Sequence, residues 1–264
     1  MRARSERARL RHAAAAILSA GLRAGDPERL VRASLRVRAR TVRVAGTDYP
    51  RTGRLVVVAA GKAASRMARA AEQALGHALD EALAVDTSAA VPLARTRLVL
   101  AGHPVPDERG LAAAVEVENV ARRLGPRDLL LVLLSGGASA LLPAPVPGVS
   151  LEDKAALTRQ LLGAGAAIGE INAVRKHLSR LKGGGLARAA RAARVACLVL
   201  SDVVGDDIST IASGPTVPDP TTHADAVLWA ERAFSLSFNS FFRRRLRAVV
   251  SNSGAKGPPV SRDN

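Results

Sequence analysis

Four apolar runs constrain this chain more than any other feature: LVVVAA (Leu55 to Ala60), LVLA (Leu98 to Ala101), LLLVLL (Leu129 to Leu134) and ACLVL (Ala196 to Leu200). Each is continuous rather than alternating, as a strand buried on both faces reads, and none is long enough to span a bilayer. Helix-period segments separate them, at 63–75, 109–124, 151–162, and then 169–181 and 186–193. Strands alternating with helices at this spacing predict an α/β fold, with a mostly parallel sheet and helices on both faces.

Ahead of the first strand, residues 7–36 read as two helices, with Asp26-Pro27 giving the second a cap and a first-turn proline. At 264 residues and 48% hydrophobic, the chain can bury a core of domain size, which excludes a wholly disordered reading. The formal charge is +16, yet only five of the 39 basic residues are lysines and aromatics make up 2%. Scattered arginines without stacking aromatics argue against a nucleic-acid groove and for compositional drift. The one cysteine, Cys197, lies inside an apolar run and reads as a small core residue, which excludes a disulfide framework and fits a reducing cytoplasm. The apolar stretch Ala13 to Leu18 is shorter than a signal-peptide core needs, and the five histidines are too far apart for a zinc cage.

Polar residues collect where the apolar runs end: Gly61-Lys62, Gly102-His103-Pro104, Ser135-Gly136-Gly137 and Ser201-Asp202. Open α/β sheets bind ligands at the carboxyl ends of their strands, so all four loops are expected to face one crevice. Neither a Walker A loop nor a G-x-G-x-x-G fingerprint is present, so a phosphate would need another device. SGGASALLP (Ser135 to Pro143) offers glycine amides to an anion, or is a plain strand-to-helix turn. NAVRKHLSRLKGGG (Asn172 to Gly185) places Arg175, Lys176, His177 and Lys182 before a helix whose amino end, near Leu186, could take an anion; a solvated basic helix with a glycine cap is the alternative. In SDVVGDDISTIASGPT (Ser201 to Thr216), Asp202 at the strand end suits magnesium or a base, while Asp206 and Asp207 read equally as turn caps. Lys62 is placed to offer a point charge to a phosphate, or is a surface lysine.

The tail differs in kind. Phe234, Phe238, Phe241 and Phe242 fall within nine residues after a phenylalanine-free stretch, and no acidic residue occurs from Ser235 to Arg262. A composition break of this sort reads as a shifted frame or truncated gene with a disordered end, which divides the chain into a domain at 1–233 and a divergent tail at 234–264.

Five ordered stretches resemble the class II glycerate kinases, or glycerate 2-kinases: VVVAAGKAASRMA, GHPVPDERGLAAA, DLLLVLLSGGASALLPAP, INAVRKHLSRLKGGGLA and LSDVVGDDISTIASGPTVPDPTT. The resemblance implies a Rossmann-like three-layer sandwich that moves the ATP γ-phosphate to the 2-hydroxyl of D-glycerate with magnesium. It implies catalytic roles for Lys62 and Asp202, with Asp202 also the metal ligand. Substrate or nucleotide contacts are implied for Ser135, Gly136, Gly137, Ser139, Asn172, Arg175, Lys176, Lys182, Gly183, Gly184, Ser213, Gly214, Pro215 and Thr216. In the family's SGGGS loop the third glycine is here Ala138. Members are often labelled hydroxypyruvate reductases, which stands as the alternative along with a non-catalytic anion- or nucleotide-binding fragment. The family's second, leucine-rich (MOFRL) domain, which closes over the cleft, has no counterpart after about Ala233. Small-molecule binding without nucleic acid or membrane is therefore expected, and a homo-oligomer stays open.

Overall fold

A computed structural model describes residues 2–233, so the phenylalanine-rich tail lies outside the described residues. The expected α/β sandwich is present. Its centre is a five-stranded sheet of β4 (Leu55–Ala60), β5 (Glu81–Asp86), β6 (Arg97–Leu100), β7 (Leu129–Leu134) and β8 (Arg194–Val199), ordered β6-β5-β4-β7-β8 with every pairing parallel. β4 and β7 pair along their whole length, Leu55 opposite Leu129 through Ala60 opposite Leu134, and every residue of both is buried.

Side chains of successive strand residues point to opposite faces, so parity assigns each to a layer. Val56, Val58, Ala60, Leu130, Val132 and Leu134 pack into one core with α4 (Glu108–Arg122), α5 (Ala138–Leu141) and α8 (Gly185–Ala189). Val57, Ala59, Leu131 and Leu133 pack into the other with α3 (Ala64–Leu75) and α2 (Pro27–Ser34). A smaller cluster joins α6 (Leu151–Gly163), α7 (Ile168–His177) and α9 (His223–Ala233) through Leu157, Leu161, Ile171, Val174 and Ala226. Among the described residues, α1 (Arg2–Ala24) included, no helix is long and apolar enough to cross a membrane.

The local signals act as expected at α2, where the Asp26 carboxylate accepts from the Glu28 and Arg29 amides at 2.9 Å ahead of Pro27. Three features depart from expectation, the first being β5, a fifth strand of the central sheet between the first two expected ones in sequence. Residues 35–50 form an antiparallel meander, β1 (Leu35–Val37), β2 (Thr41–Val44) and β3 (Thr47–Pro50), which begins where the second helix was expected to run on to residue 36. Its hairpin turns on Ala45 and Gly46, both at positive φ, the geometry that matches strand twist in two-residue loops. The helix expected at 186–193 stops at Ala189, because Arg194 already donates to the Asp128 carbonyl as β8 opens.

Candidate functional site

The chain builds the sheet outward from β4 to β5 and β6, then returns across it to β7 and β8. The order therefore reverses between β4 and β7, and the carboxyl ends of strands at such a reversal flank a crevice. Gly61-Lys62 and Ser135-Gly136-Gly137 meet there. The Lys62 amide donates to the Gly136 carbonyl at 2.9 Å and the Ala63 amide to Ser135 Oγ at 3.1 Å. Gly61, at φ 126°, lies so close to Ser135 that a β-carbon there would sit 2.5 Å from the Ser135 carbonyl oxygen. The two loops are thus one backbone unit.

The outer loops reach this unit from either side. Asp202, after β8, lies against Gly136, where an added β-carbon would come 2.4 Å from its Oδ2. His103, after β6, and the stem of Lys62 both lie about 3.2 Å from the point a Gly137 β-carbon would occupy. Gly137 has φ 92°, so the turn needs glycine for conformation as well as room. The amides of Gly136 and Gly137 donate to no group among the described residues. Ala138 falls inside α5 with no positive φ, so alanine in place of the family's third glycine leaves the turn intact.

The side chains of Lys62, His103, Arg175 and Asp202 have no hydrogen-bond or ion-pair partner among the described residues. Arg175, on α7, is half-buried, and loss of solvent pulls its guanidinium below the ordinary arginine range. Burial, then the positive charges of Lys62 and Arg175, hold the His103 imidazole below its usual value, so it is held towards the neutral form. The loops of Lys62 and Asp202 and the helix α7 thus bring unpartnered charge, and the loop of His103 an imidazole, to one turn. Elsewhere the partly buried charges are met: Glu118 by Arg122 and Arg180, Glu28 by Arg66 and Arg69, and Glu72 by the amides of Ala94, Arg95 and Thr96.

The remaining expected residues do structural work around this turn. Lys182 does not open into the crevice. Its ammonium is buried and donates to the Ser139 and Leu142 carbonyls, both at 2.8 Å, and burial pushes it well below the ordinary lysine range. Nor is the amino end of α8 open to an anion. The Leu186 and Ala187 amides donate to the Pro215 carbonyl, while Gly183 and Gly184 donate to Ser213 and Gly214. The glycine run and SGPT segment are therefore zipped together, with Thr216 near Cys197, whose thiol burial pushes up to about 11. Ser213 is buried and shares its hydroxyl with Ser139 Oγ at 2.9 Å and Asn172 Oδ1 at 3.3 Å. Lys176 pairs with Asp219 at 3.2 Å. Asp207 accepts from the Ser209 amide and the Thr210 hydroxyl, which makes it a cap.

One participant was legible only by its loop, and one was missed. The signal for His103 was its strand-end position, but nothing in sequence shows that it folds back onto Gly137. β5 ends in Asp86, which is fully buried and accepts from the Ser65 amide and hydroxyl, anchoring the helix after Lys62. Among the described residues no cluster of three or more His, Cys, Asp or Glu is placed to hold a metal ion.

The sequence matches the model of a domain of unknown function, DUF4147, over residues 13–239. It is 50% identical over 205 residues to a putative hydroxypyruvate reductase of Agrobacterium vitis, covering 77% of this chain and 52% of that protein. It is 42% identical over 211 residues to the glycerate 2-kinase of Pyrococcus horikoshii, covering 80% and 47%. A crystal structure of a Pyrococcus horikoshii protein superposes with a TM-score of 0.79 at 37% identity, over 92% of this chain and 56% of that one. The chain thus spans about half the length of the relatives it matches.

Proposed function

We propose, from the premise that this chain belongs to the glycerate 2-kinase family and carries its DUF4147 domain, that the crevice is one side of a site for phosphoryl transfer from ATP to the 2-hydroxyl of D-glycerate. The observation that carries this reading is the convergence of the Lys62 stem, the Asp202 carboxylate and the free Gly136 and Gly137 amides on one turn, beside the half-buried Arg175 guanidinium, which has no counter-charge among the described residues; an uncompensated half-buried charge costs free energy that a ligand of opposite charge returns.

Phosphoryl transfer asks little covalent chemistry of a protein; positioning and charge stabilisation supply most of the rate. Lys62 offers its ammonium to the phosphoryl oxygens, and the free amides of Gly136 and Gly137 bind the same oxygens from the turn. Asp202 suits magnesium, which is commonly bound by one or two carboxylates together with substrate phosphates and, when bound, neutralises phosphate charge. Arg175 provides a fixed cation on the α7 side. The Ser139–Ser213–Asn172 chain and the buried Lys182 keep the turn in place from beneath, and Lys176 fixes the 219–222 segment through Asp219.

The reductase name carried by some relatives is the second reading. A direct comparison tests the two: this domain joined to the second half of the Pyrococcus relative, assayed for ADP release with ATP and D-glycerate, and for NADH oxidation with hydroxypyruvate. The kinase reading expects ADP release that depends on D-glycerate. NADH oxidation in its place overturns it.

A further inference from the structure

His103 belongs to no role assigned above, yet it occupies the same few ångströms as the residues that have one. Its Nε2 and Cδ2 lie 3.2 and 3.1 Å from the point where a Gly137 β-carbon would sit, and the Lys62 stem lies 3.2 Å from that point. Arg175 is close enough for its charge to act on the imidazole. Of the carboxylates nearby, Asp107 caps α4 at the Gly110 amide and pairs with Arg109, and Asp202 lies against Gly136; the charges that act on the imidazole are those of Lys62 and Arg175.

We infer that His103 completes an oxyanion site with Lys62 and Arg175 on the Gly137 turn, and that it takes up a proton from solvent when the oxyanion binds. The reasoning is electrostatic. Partial loss of solvent and the two cations hold the imidazole towards its neutral form; an oxyanion placed among them cancels the repulsion and adds attraction, so the protonated imidazole becomes a third charged donor. The site then carries two fixed charges when empty and three when filled, which confines much of the mutual repulsion to the bound state, where it is screened. The ligand chemistry is a small oxyanion, either the carboxylate of a hydroxy acid or a phosphate. This rests on the functional reading above only in expecting such ligands.

The test is an NMR titration of the His103 imidazole on this chain from pH 5 to 8, without metal, run alone, with inorganic phosphate and separately with D-glycerate. His103→Gln identifies the resonance among the five histidines. An upward move of the His103 midpoint by about one pH unit or more, the size expected for an opposite charge within a few ångströms, supports the site. Whichever of the two anions produces the move is its ligand. Arg175→Gln should weaken that anion's binding at least about tenfold while thermal unfolding confirms a folded chain. An unmoved midpoint while the anion binds overturns the inference, as does binding of both anions weaker than about 10 mM. The readout is a proton on His103 rather than turnover, so a failed kinase assay leaves it standing, and an intact kinase with an unmoved His103 sinks it alone.

Discussion

The carboxylate of Asp202 rests on Gly136 so closely that a β-carbon on that glycine would meet Oδ2 at 2.4 Å. What would be struck is the tip of an exposed side chain rather than backbone, so Gly136→Ala should move Asp202 and leave the fold, changing stability by within about 1 kcal/mol. Gly61→Ala is the contrasting case. There φ is 126° and the new methyl meets the Ser135 backbone, so a loss of about 1–3 kcal/mol or more is expected. Denaturant unfolding of the two variants decides it; equal losses would contradict the packing described here.

Asp202→Asn should abolish magnesium-dependent turnover in a two-domain fusion and keep D-glycerate binding. If excess magnesium restores nothing and D-glycerate binding disappears, Asp202 is a substrate ligand and the metal role is wrong.

The buried ammonium groups predict an unusual alkaline behaviour. Lys154 donates to the Pro143 and Leu178 carbonyls, Lys182 to Ser139 and Leu142, and burial depresses both well below the ordinary value of 10.5. A group whose folded value is depressed binds more protons unfolded than folded, so stability rises with pH through the window below about 10.5 and falls on descending through it. The thermal midpoint should therefore climb from neutral pH towards pH 10, and the climb should shrink in Lys182→Met. That variant also strands two carbonyls, costing about 1–3 kcal/mol. A flat profile in the parent refutes the buried placement. On the acid side, His103 and His223 are both depressed by burial, so a decline is expected as pH falls below about 6.5.

By itself the chain should fold and yet release no measurable ADP with D-glycerate. The chain spans about half the length of the relatives it matches, and the alignment of donor with acceptor, to which both sides of a site contribute, accounts for about 7–11 kcal/mol of such barriers. Turnover at about 10 per second by the isolated chain would show that the described loops suffice.

Much of the scaffold was legible because β4 and β7 are buried on both faces and so are written as unbroken apolar runs. β5 escaped because EALAVD is rich in alanine and opens and closes on charge, although its pairing with β4 leaves all but Glu81 buried. The meander did leave a signal, the alternation of apolar residues and arginine in LRVRARTVRV, masked by its charge. At the site, the convergence of the strand-end loops followed from topology alone. The direction of a lysine stem did not: Lys62 and Lys182 both precede helices, and only packing shows that one faces solvent and the other is buried beneath the loop. Likewise Gly183 and Gly184 looked like ligand glycines but serve a backbone zipper.

The central claim is that the loop after β4 supplies the cation that stabilises phosphoryl transfer. Measuring kcat for ADP release in the two-domain fusion, with Lys62 and with Lys62→Met, tests it most directly. The stem of Lys62 lies at the Gly137 turn and its ammonium has no partner to lose among the described residues, so the substitution should leave the fold unchanged and lower kcat about a hundredfold or more, the scale of one charge-stabilising donor. A folded Lys62→Met fusion within about threefold of the parent, under about 1 kcal/mol of barrier, would contradict it.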